Sequence, residues 1–381
     1  MNFAFSAEQE EFRSMLARFV EAQYPIENIR SLTETESGYD ESKWKRMNAE
    51  LGIAGVAIPE AHGGQGFTVL ELGLALEQLG RNLAGGPLFA TACLAAPAIL
   101  AAGSEDDRNE LLPAIADGST IATLAFSERD GHFDGQSIQA TCAQDGDGWS
   151  LSGTKSWVID APNADLIVVA ARIPGTRGED GVSLLAVKAN DPGVRIEPVD
   201  ALDLTRRLGS VTLDGATARM LGEPGAAWPV LERILDQAAV CLTAEQIGGA
   251  ARCLEMAVQY SKERIQFGRP IGSFQAIKHR CATVKLDLEL ARSASYWAWW
   301  VASEHPEELQ QAASIAKSLC SETYLLAAAE NVHIHGGMGF TWEHDAHLFY
   351  RRAKSSSILF GGPGEHRARI AAELGFGGTD A

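Results

Sequence analysis

The middle of the chain has a sequence pattern that differs from the pattern at both ends. From Thr120 to about Glu223, short runs rich in β-branched residues, such as TIATLAFSE and LIVVAAR, alternate with polar segments. Two Asp-Gly pairs, at residues 145–146 and 147–148, are typical of tight turns between antiparallel strands. The pattern therefore predicts a β domain over residues 119–225.

Helical patterns fill the regions on either side of this domain. Ser6 and Gln9 fit a capping box, and apolar residues then recur at helical spacing from Phe12 to Val20. After Pro229 the helical segments are about 25 to 30 residues long and short loops join them, which is typical of an antiparallel bundle. We therefore predict an α+β multidomain protein, with an N-terminal all-α domain (1–118), a β domain (119–225) and a C-terminal helical bundle (226–381).

The charge and the cysteines narrow the class of protein. The chain of 381 residues has a formal net charge of −18, which would repel nucleic acid, so any phosphate-bearing ligand needs a local basic site. The six cysteines show no CxxC spacing, and the first residues carry acids where a signal peptide needs bases. No run reaches the length of about 18 apolar residues that a membrane span needs. We expect a cytoplasmic protein with no membrane partner.

One candidate site for a phosphate lies in residues 260–279, YSKERIQFGRPIGSFQAIKH. Arg264, Phe267, Arg269 and Gln275 come between one long helical pattern and the next. Guanidiniums, an aromatic ring and an amide beside a helix N-terminus favour an anion such as pyrophosphate, because the first N–H groups of a helix lack partners. The alternative is a helix–helix turn with solvated arginines.

A second candidate site is rich in glycine. In residues 331–354, Gly336 and Gly337 follow an apolar helical pattern, so that the backbone could approach a ligand, although a helix C-cap needs only one glycine. His333 belongs to the same segment with two further histidines, but their spacing matches no common zinc pattern and no cysteine is near. We predict ligand contact here and no metal.

These stretches, preceded by WKRMNAELGIAGVAIPEAHGGQG and GWSLSGTKSWVIDAPNAD, resemble the flavin-dependent acyl-CoA dehydrogenase family over nearly the whole chain. The resemblance implies a β-barrel-like middle domain, a C-terminal four-helix bundle and a dimer of dimers, with FAD between the β domain, the bundle and a neighbouring subunit. The residues that look like the two faces of the FAD nucleotide site are Arg264, Phe267 and Gln275, and His333, Gly336 and Gly337.

In the β domain, the resemblance points to contacts with the isoalloxazine ring. The residues at these positions are Phe126, Ser127, Trp157 and Ile159. Ser127 replaces the usual threonine and keeps a hydroxyl. Ile159 stands where a hydroxyl residue is common, so one hydrogen bond to the flavin is either missing or made by backbone.

Two loops look like the substrate loops of the family. In the first, Arg129, His132 and Phe133 stand where small residues are expected, which implies a substrate, or a mode of entry, that differs from that of straight-chain fatty acyl-CoA enzymes. The second loop contains Phe360, Gly361 and Gly362. We expect it to pass close to the flavin and the thioester.

The reaction of the family needs a carboxylate base. It removes the α-proton of an acyl-CoA while the β-hydrogen leaves as hydride to flavin N5. The usual base position falls on Phe360 or Gly361, and a second family position falls on Ala238, so neither holds a carboxylate. Glu365 follows the first position but looks like a helix-start residue.

Glu245 is the lead candidate for the base. It lies seven residues after Ala238, on nearly the same helix face, in a stretch with few charges. An isolated carboxylate in such surroundings is rarely buried without a partner or a purpose. The alternative is a glutamate that pairs with an arginine at a subunit contact.

The resemblance leaves three hypotheses open for the activity. The first is an FAD-dependent acyl-CoA dehydrogenase that passes electrons to an electron-transfer flavoprotein, as a homo- or hetero-oligomer. The second is a catalytically silent or partner-dependent subunit of a heteromeric acyl-CoA dehydrogenase, which the missing bases suggest. The third is a flavin oxidase or monooxygenase on the same fold.

Overall fold

The N-terminal part of the molecule is helical. The structure, a computed structural model, describes residues 5–129, 131, 134–146 and 148–376. The helices of this part are α1 (Ala7–Gln23), α2 (Ile26–Thr33), α3 (Glu41–Leu51), α4 (Val69–Arg81), α5 (Ala96–Ala102) and α6 (Glu105–Ala116), and a π-helical stretch, Phe89–Ala95, runs into α5. Ser6 and Gln9 form the predicted capping box, in which each side chain accepts a hydrogen bond from the other residue's amide.

The β domain is a sheet that closes on itself. Its strands are β1 (Ala122–Ala125), β2 (Thr141–Asp145), β3 (Gly148–Ile159), β4 (Leu166–Arg172), β5 (Val182–Lys188), β6 (Val194–Val199) and β7 (Leu208–Leu221). β5 pairs with both β4 and β7, and β2 connects β3 to β4, so these five strands form a ring. Apolar side chains fill the interior, as in other small barrels.

The C-terminal part is a bundle of long helices. Its elements are α7 (Trp228–Glu263), a short hairpin of β8 (Ile265–Gln266) and β9 (Arg269–Pro270), α8 (Gln275–Glu304), α9 (Leu309–His335), α10 (Ala346–Ile358) and α11 (Pro363–Glu373). The predicted fold class is therefore confirmed, with helical domains on either side of a barrel-like β domain. In the part of the chain that the structure describes, none of the helices has the length and hydropathy that a membrane crossing requires.

Close contact between α4 and α7 fixes the position of Glu245. A Cβ atom on Gly80 of α4 would lie 2.4 Å from the Glu245 carbonyl oxygen, and one on Gly248 of α7 would lie 2.1 Å from the Glu77 carbonyl oxygen. Since these distances are far below van der Waals contact, only glycine permits the approach at either position. The segment of α7 that carries Glu245 is therefore held against the N-terminal domain and is buried from residue 238 to residue 251.

Candidate active site

A cavity of about 290 Å³ lies beside the first turns of α7 and the segment that joins α10 to α11. The residues that line it are Asp134, Trp228, Glu232, Leu235, Asp236, Phe360, Gly361, Glu365, His366 and Arg369. The lining combines two aromatic rings with four carboxylates, an imidazole and a guanidinium, so the cavity is about as polar as it is apolar. Two residues of the predicted substrate loop, Phe360 and Gly361, thus belong to the cavity wall.

Phe360 has a strained backbone conformation. Its φ angle is +56°, which residues other than glycine rarely adopt. Its ring is 6% exposed and stacks against Phe89 and Phe126, with centroid separations of 5.8 Å and 6.1 Å. Such a conformation costs on the order of 1–3 kcal/mol, so surrounding contacts must hold it. The cluster brings a predicted flavin contact, Phe126, next to a predicted substrate contact, Phe360.

His366 provides one of these contacts. Its Nε2 lies 2.9 Å from the carbonyl oxygen of Phe360, and its Nδ1 lies 3.4 Å from the hydroxyl oxygen of Ser314. Burial, assisted by the nearby amine of Lys317, lowers the pKa of His366 to about 4. The ring is therefore neutral at neutral pH, and Nε2–H donates to the Phe360 carbonyl.

The depressed pKa of His366 predicts a loss of stability in acid. An unfolded histidine has a pKa of about 6.5, so between pH 6.5 and about 4 the unfolded chain binds a proton that the native state does not. Above pH 6.5, we expect His366 to have no effect on the pH dependence of stability. As the pH falls from 6.5 to about 4, protonation of the unfolded chain should lower the free energy of unfolding by about 3 kcal/mol. Below about pH 4, His366 should cause no further loss. Urea denaturation of the protein and of His366→Gln at each pH measures the difference.

Exposed His279 on α8 offers a matched control for this measurement. His279→Gln should follow the pH dependence of the unmodified protein, because it removes a surface side chain and leaves the buried His366 in place. If the free energy of unfolding of His366→Gln had the same pH dependence as that of the unmodified protein, His366 would not be a buried neutral imidazole.

Other charged groups of the cavity are engaged in local contacts. Glu365 is exposed, and its Oε2 accepts a hydrogen bond from the Gly362 amide at 2.6 Å, which caps α11. Asp236 accepts two hydrogen bonds from Arg369, at 2.7 Å and 3.0 Å. Burial and the neighbouring Asp236 raise the pKa of Glu232.

Glu245 lies in a buried cluster of charges between α7, α10 and the loop before β7. Its Oε2 accepts hydrogen bonds from Arg206 and, at 3.1 Å, from Arg352. The Nε of Arg352 lies 2.6 Å from a carboxylate oxygen of Asp203, and all four side chains are nearly buried. The sequence left open that Glu245 pairs with an arginine at a subunit contact. In the structure it pairs with two arginines of its own chain.

The two carboxylate oxygens of Glu245 differ in their surroundings. Oε2 accepts both hydrogen bonds, whereas no group in the described residues bonds to Oε1. The guanidinium of Arg206 lies 4.8 Å from the centre of the Phe89 ring, and Phe89 stacks on Phe360 of the cavity wall. The carboxylate is therefore oriented through one oxygen, and Arg206 links it to the aromatic cluster.

The predicted isoalloxazine contacts lie at neighbouring positions of β3 and the segment after β1. Trp157 is 48% exposed and has a φ angle of +59°, so a large ring is presented to the surface from a strained position. Ser127 is buried, and its carbonyl accepts a hydrogen bond from the Ser156 amide at 2.9 Å. Ile159 is also buried, and the Thr123 hydroxyl donates to its carbonyl at 2.6 Å.

A buried ion pair supports this region, and sequence reasoning missed it. Lys155 has no exposed surface, and its Nζ lies 2.7 Å from Glu128 Oε1 and 3.3 Å from the carbonyl oxygen of Phe126. The same oxygen of Glu128 accepts hydrogen bonds from the amides of Gln139 and Ala140. The pair thus ties three segments of the β domain together around the predicted flavin contacts.

The first substrate loop is only partly described. Arg129 is exposed in a turn, and Asp134 lines the cavity. His132 and Phe133, which were also predicted to contact substrate, lie outside the described residues.

The predicted nucleotide contacts lie at one end of the bundle. Arg264 and Phe267 follow the end of α7, and His333, Gly336 and Gly337 are at the end of α9. The two helix ends meet where the Tyr260 ring stacks on His335, with centroids 4.3 Å apart. All six predicted residues, including Gln275 at the start of α8, are exposed, and Phe267 is 91% exposed. A free aromatic ring of this kind is typical of a contact with a ligand or another subunit.

The same end of the bundle has groups that suit a dinucleotide. α8 begins at Gln275 with no side chain capping its N-terminus, so its first N–H groups are available to an anion. Arg264 adds a guanidinium, and the exposed ring of Phe267 offers a surface for a planar group. These residues fit the phosphates and rings of FAD.

Among the described residues, no His, Cys, Asp and Glu side chains are grouped so that they could hold a metal ion.

Family models cover most of the chain. The acyl-CoA dehydrogenase N-terminal domain matches residues 6–119, the middle domain matches residues 123–213, and the C-terminal domain matches residues 225–375. The chain belongs to the acyl-CoA dehydrogenase family. Acyl-CoA dehydrogenases are flavoproteins and oxidoreductases, so this chain is an enzyme of that class.

Proteins of known sequence or structure resemble this chain over nearly their full lengths. Acyl-CoA dehydrogenase IpdE2 of Mycolicibacterium smegmatis is 34% identical over 369 residues, which cover 97% of this chain and 99% of that protein. A chain from a structure of the electron transferring flavoprotein of Acidaminococcus fermentans has a TM-score of 0.92 at 28% identity. The match covers 98% of this chain and 99% of that chain. A chain of the ChsE4-ChsE5 complex from Mycobacterium tuberculosis has a TM-score of 0.88 at 30% identity, with 100% of both covered.

Proposed function

We propose that this acyl-CoA dehydrogenase uses FAD to introduce a double bond between the α and β carbons of an acyl-CoA thioester. Family membership supports the reaction class, and the Oε1 of Glu245, which makes no hydrogen bond to the described residues, supports the choice of Glu245 as the base. The α-proton passes to this oxygen. FAD, when bound, takes up the β-hydrogen as hydride.

The surroundings of Glu245 orient its carboxylate. Arg206 and Arg352 fix the carboxylate through Oε2, which leaves Oε1 in one orientation and reduces the reorganisation that proton transfer requires. The packing of Phe89, Phe126 and Phe360 keeps water away from the same region.

The proposed reaction can be tested on the purified flavoprotein. Short, branched and ring-bearing acyl-CoA thioesters are mixed with the protein without oxygen, and the flavin absorbance is followed. Bleaching by at least one thioester, with an enoyl-CoA product identified by mass spectrometry, is the expected result. A flavin that no thioester of the series reduces would contradict the proposal.

The FAD site is proposed to include the exposed groups at the bundle end. Arg264, Phe267 and Gln275 would hold the nucleotide of a neighbouring subunit, and His333, Gly336 and Gly337 would form its other face. Phe126, Ser127, Trp157 and Ile159 would contact the isoalloxazine ring. This division places each FAD between subunits, so an oligomer is part of the proposal.

Arg264→Met should lower the affinity for FAD. Loss of a charge-assisted hydrogen bond to a phosphate removes about 1.5–3 kcal/mol, which corresponds to a rise in Kd of about tenfold or more. The ratio of flavin to protein after gel filtration, together with titration of the apoprotein with FAD, measures this effect. Arg252→Met is the matched control, because Arg252 lies on α7 before the helix end and is only partly exposed. Equal flavin content in the two variants would exclude Arg264 from the site.

The oxidant is proposed to be an electron-transfer flavoprotein. The similarity to a chain in the structure of such a flavoprotein complex supports this choice. Reduced enzyme should reoxidise faster with electron-transfer flavoprotein than with air. Rapid reoxidation by air with release of hydrogen peroxide, or hydroxylation of the substrate, would instead favour the oxidase or monooxygenase hypothesis.

A second candidate function is that of a partner-dependent subunit. Phe360 and Gly361 stand at the usual base position of the family, and a similar chain comes from a complex of two different proteins. Under this hypothesis, the chain alone would bind no FAD and would gain it when coexpressed with a related chain. Stoichiometric FAD in a homo-oligomer would exclude it.

A further inference from the structure

Lys317 is a buried lysine in the middle of α9. Its side chain has no exposed surface, and its Nζ makes three contacts. The partners are the Gly361 carbonyl oxygen at 3.1 Å, the Ser357 carbonyl oxygen at 3.2 Å and the Ser321 hydroxyl oxygen at 3.0 Å. All donors of the amine are therefore used, and two of them bind backbone of the segment that joins α10 to α11.

The two carbonyls occur where the backbone lacks other partners. Ser357 is in the last turn of α10, where the carbonyl groups have no partner within the helix. Gly361 follows Phe360, and both have positive φ angles, +56° and +96°. Because Phe360 is strained there, its conformation persists only if neighbouring contacts fix the backbone on either side. Lys317 fixes the carbonyl after the strained residue, and His366 fixes the carbonyl of Phe360 itself.

A lysine at this position carries a large desolvation penalty. Burial lowers the pKa of Lys317 to about 7, so the protein holds an amine here against the preference of the group for water. An apolar side chain would pack at this position of α9 without that penalty, but it would leave the Gly361 and Ser357 carbonyls unpaired. The contacts of the amine therefore indicate a role in the loop rather than in helix packing.

We propose that Lys317 is a positioning residue of the substrate site, which holds the Phe360–Gly361 backbone so that the Phe360 ring sets the size of the acyl cavity. Phe360 lines the cavity and packs against Phe89 and Phe126, so any movement of its backbone changes the space available to the acyl group. The proposal rests on the proposed function for the identity of the ligand. The effect on the loop itself does not depend on it.

The loop effect is measured by hydrogen exchange on the purified flavoprotein. Lys317→Met keeps the length of the side chain but removes its donors, whereas Lys317→Gln keeps a donor. Exposed Lys354 on α10 gives the control, Lys354→Met. We expect the amides of residues 359–362 to exchange about tenfold faster in Lys317→Met, in line with one lost buried hydrogen bond, and to stay near the original rate in the other two variants. Equal exchange in Lys317→Met and Lys354→Met would overturn the proposal.

The effect on the cavity is measured as selectivity between two thioesters. Butyryl-CoA and phenylacetyl-CoA differ in the bulk of the acyl group, and the ratio of their dissociation constants is compared between variants. We expect Lys317→Met to shift the ratio about tenfold in favour of phenylacetyl-CoA, since pocket contacts of this size discriminate by about 10- to 200-fold. A general loss of stability would weaken both thioesters equally and would overturn the positioning role.

Phe360→Leu tests the same cavity without changing Lys317. If Lys317→Met does not fold, this variant must still shift the ratio in the same direction, and an unchanged ratio would overturn the proposal. Failure of every variant and of the unmodified protein to bind either thioester would contradict the proposed function. The exchange rates of residues 359–362 would then still decide whether Lys317 positions the loop.

Discussion

Glu245→Gln should lower kcat for acyl-CoA dehydrogenation by about a thousandfold, which is within the usual contribution of a general base. Glutamine keeps the size of the side chain and an oxygen that can accept a hydrogen bond from Arg206 or Arg352, but it cannot take up the α-proton. Flavin reduction by an excess of acyl-CoA in a stopped-flow spectrometer, without oxygen, measures the step directly.

Two further variants separate chemistry from stability. Asp203→Asn removes a different charge from the same buried cluster and should destabilise the protein to a similar degree, but it should retain most of the rate of flavin reduction. Glu365→Gln should also retain most of the rate, because the exposed Glu365 caps α11 through the Gly362 amide. Equal losses of rate in Glu245→Gln and Asp203→Asn would show that Glu245 is not the base, and loss of the rate only in Glu365→Gln would assign the base to Glu365.

Arg352→Met should lower the free energy of unfolding by about 3–5 kcal/mol, because removal of one partner leaves buried charges uncompensated. Its guanidinium lies 2.6 Å from Asp203 and 3.1 Å from Glu245, and it also donates to Thr205. The residue thus joins α10 to α7 and to the loop before β7. Denaturation by urea, followed by circular dichroism, gives the change.

The adjacent Arg351 provides the control for this prediction. Its side chain is partly exposed, with its guanidinium 5.3 Å from the centre of the Trp342 ring and 3.2 Å from the Leu202 carbonyl oxygen. Arg351→Met should change the free energy of unfolding by less than about 1 kcal/mol, since exposed charges contribute little. A similar loss in both variants would contradict the importance of the buried cluster.

Glu245, the proposed base, illustrates how far sequence reasoning reached. The lack of neighbouring charges around Glu245 predicted a buried carboxylate with a partner or a purpose, and the structure buries it. Its partners are Arg206 and Arg352, which are 39 and 107 positions away in the chain. Sequence spacing on one helix cannot reveal such contacts, because they depend on how the β domain and α10 pack against α7.

Sequence reasoning did not predict the burial of two lysines. Lys155 and Lys317 have no exposed surface, although lysine is almost never fully buried without a partner. Lys155 alternates with polar residues in a strand, and Lys317 lies among small residues in a helix, so neither pattern distinguishes it from a surface lysine. Their carboxylate and carbonyl partners come from distant segments, and burial is stable only when those partners are in place.

The sequence by itself determined the order of the domains and the family, because hydrophobic periodicity and motif order are properties of contiguous residues. It also identified the loop that contributes Phe360 and Gly361 to the cavity wall. Only the tertiary structure decided that Phe360 has a strained conformation with its carbonyl bound by His366, that Lys317 binds the next carbonyl, and that Glu245 is left with one free oxygen. These features arise where separate helices and the barrel meet, and desolvation acts on a charge only after that packing is complete.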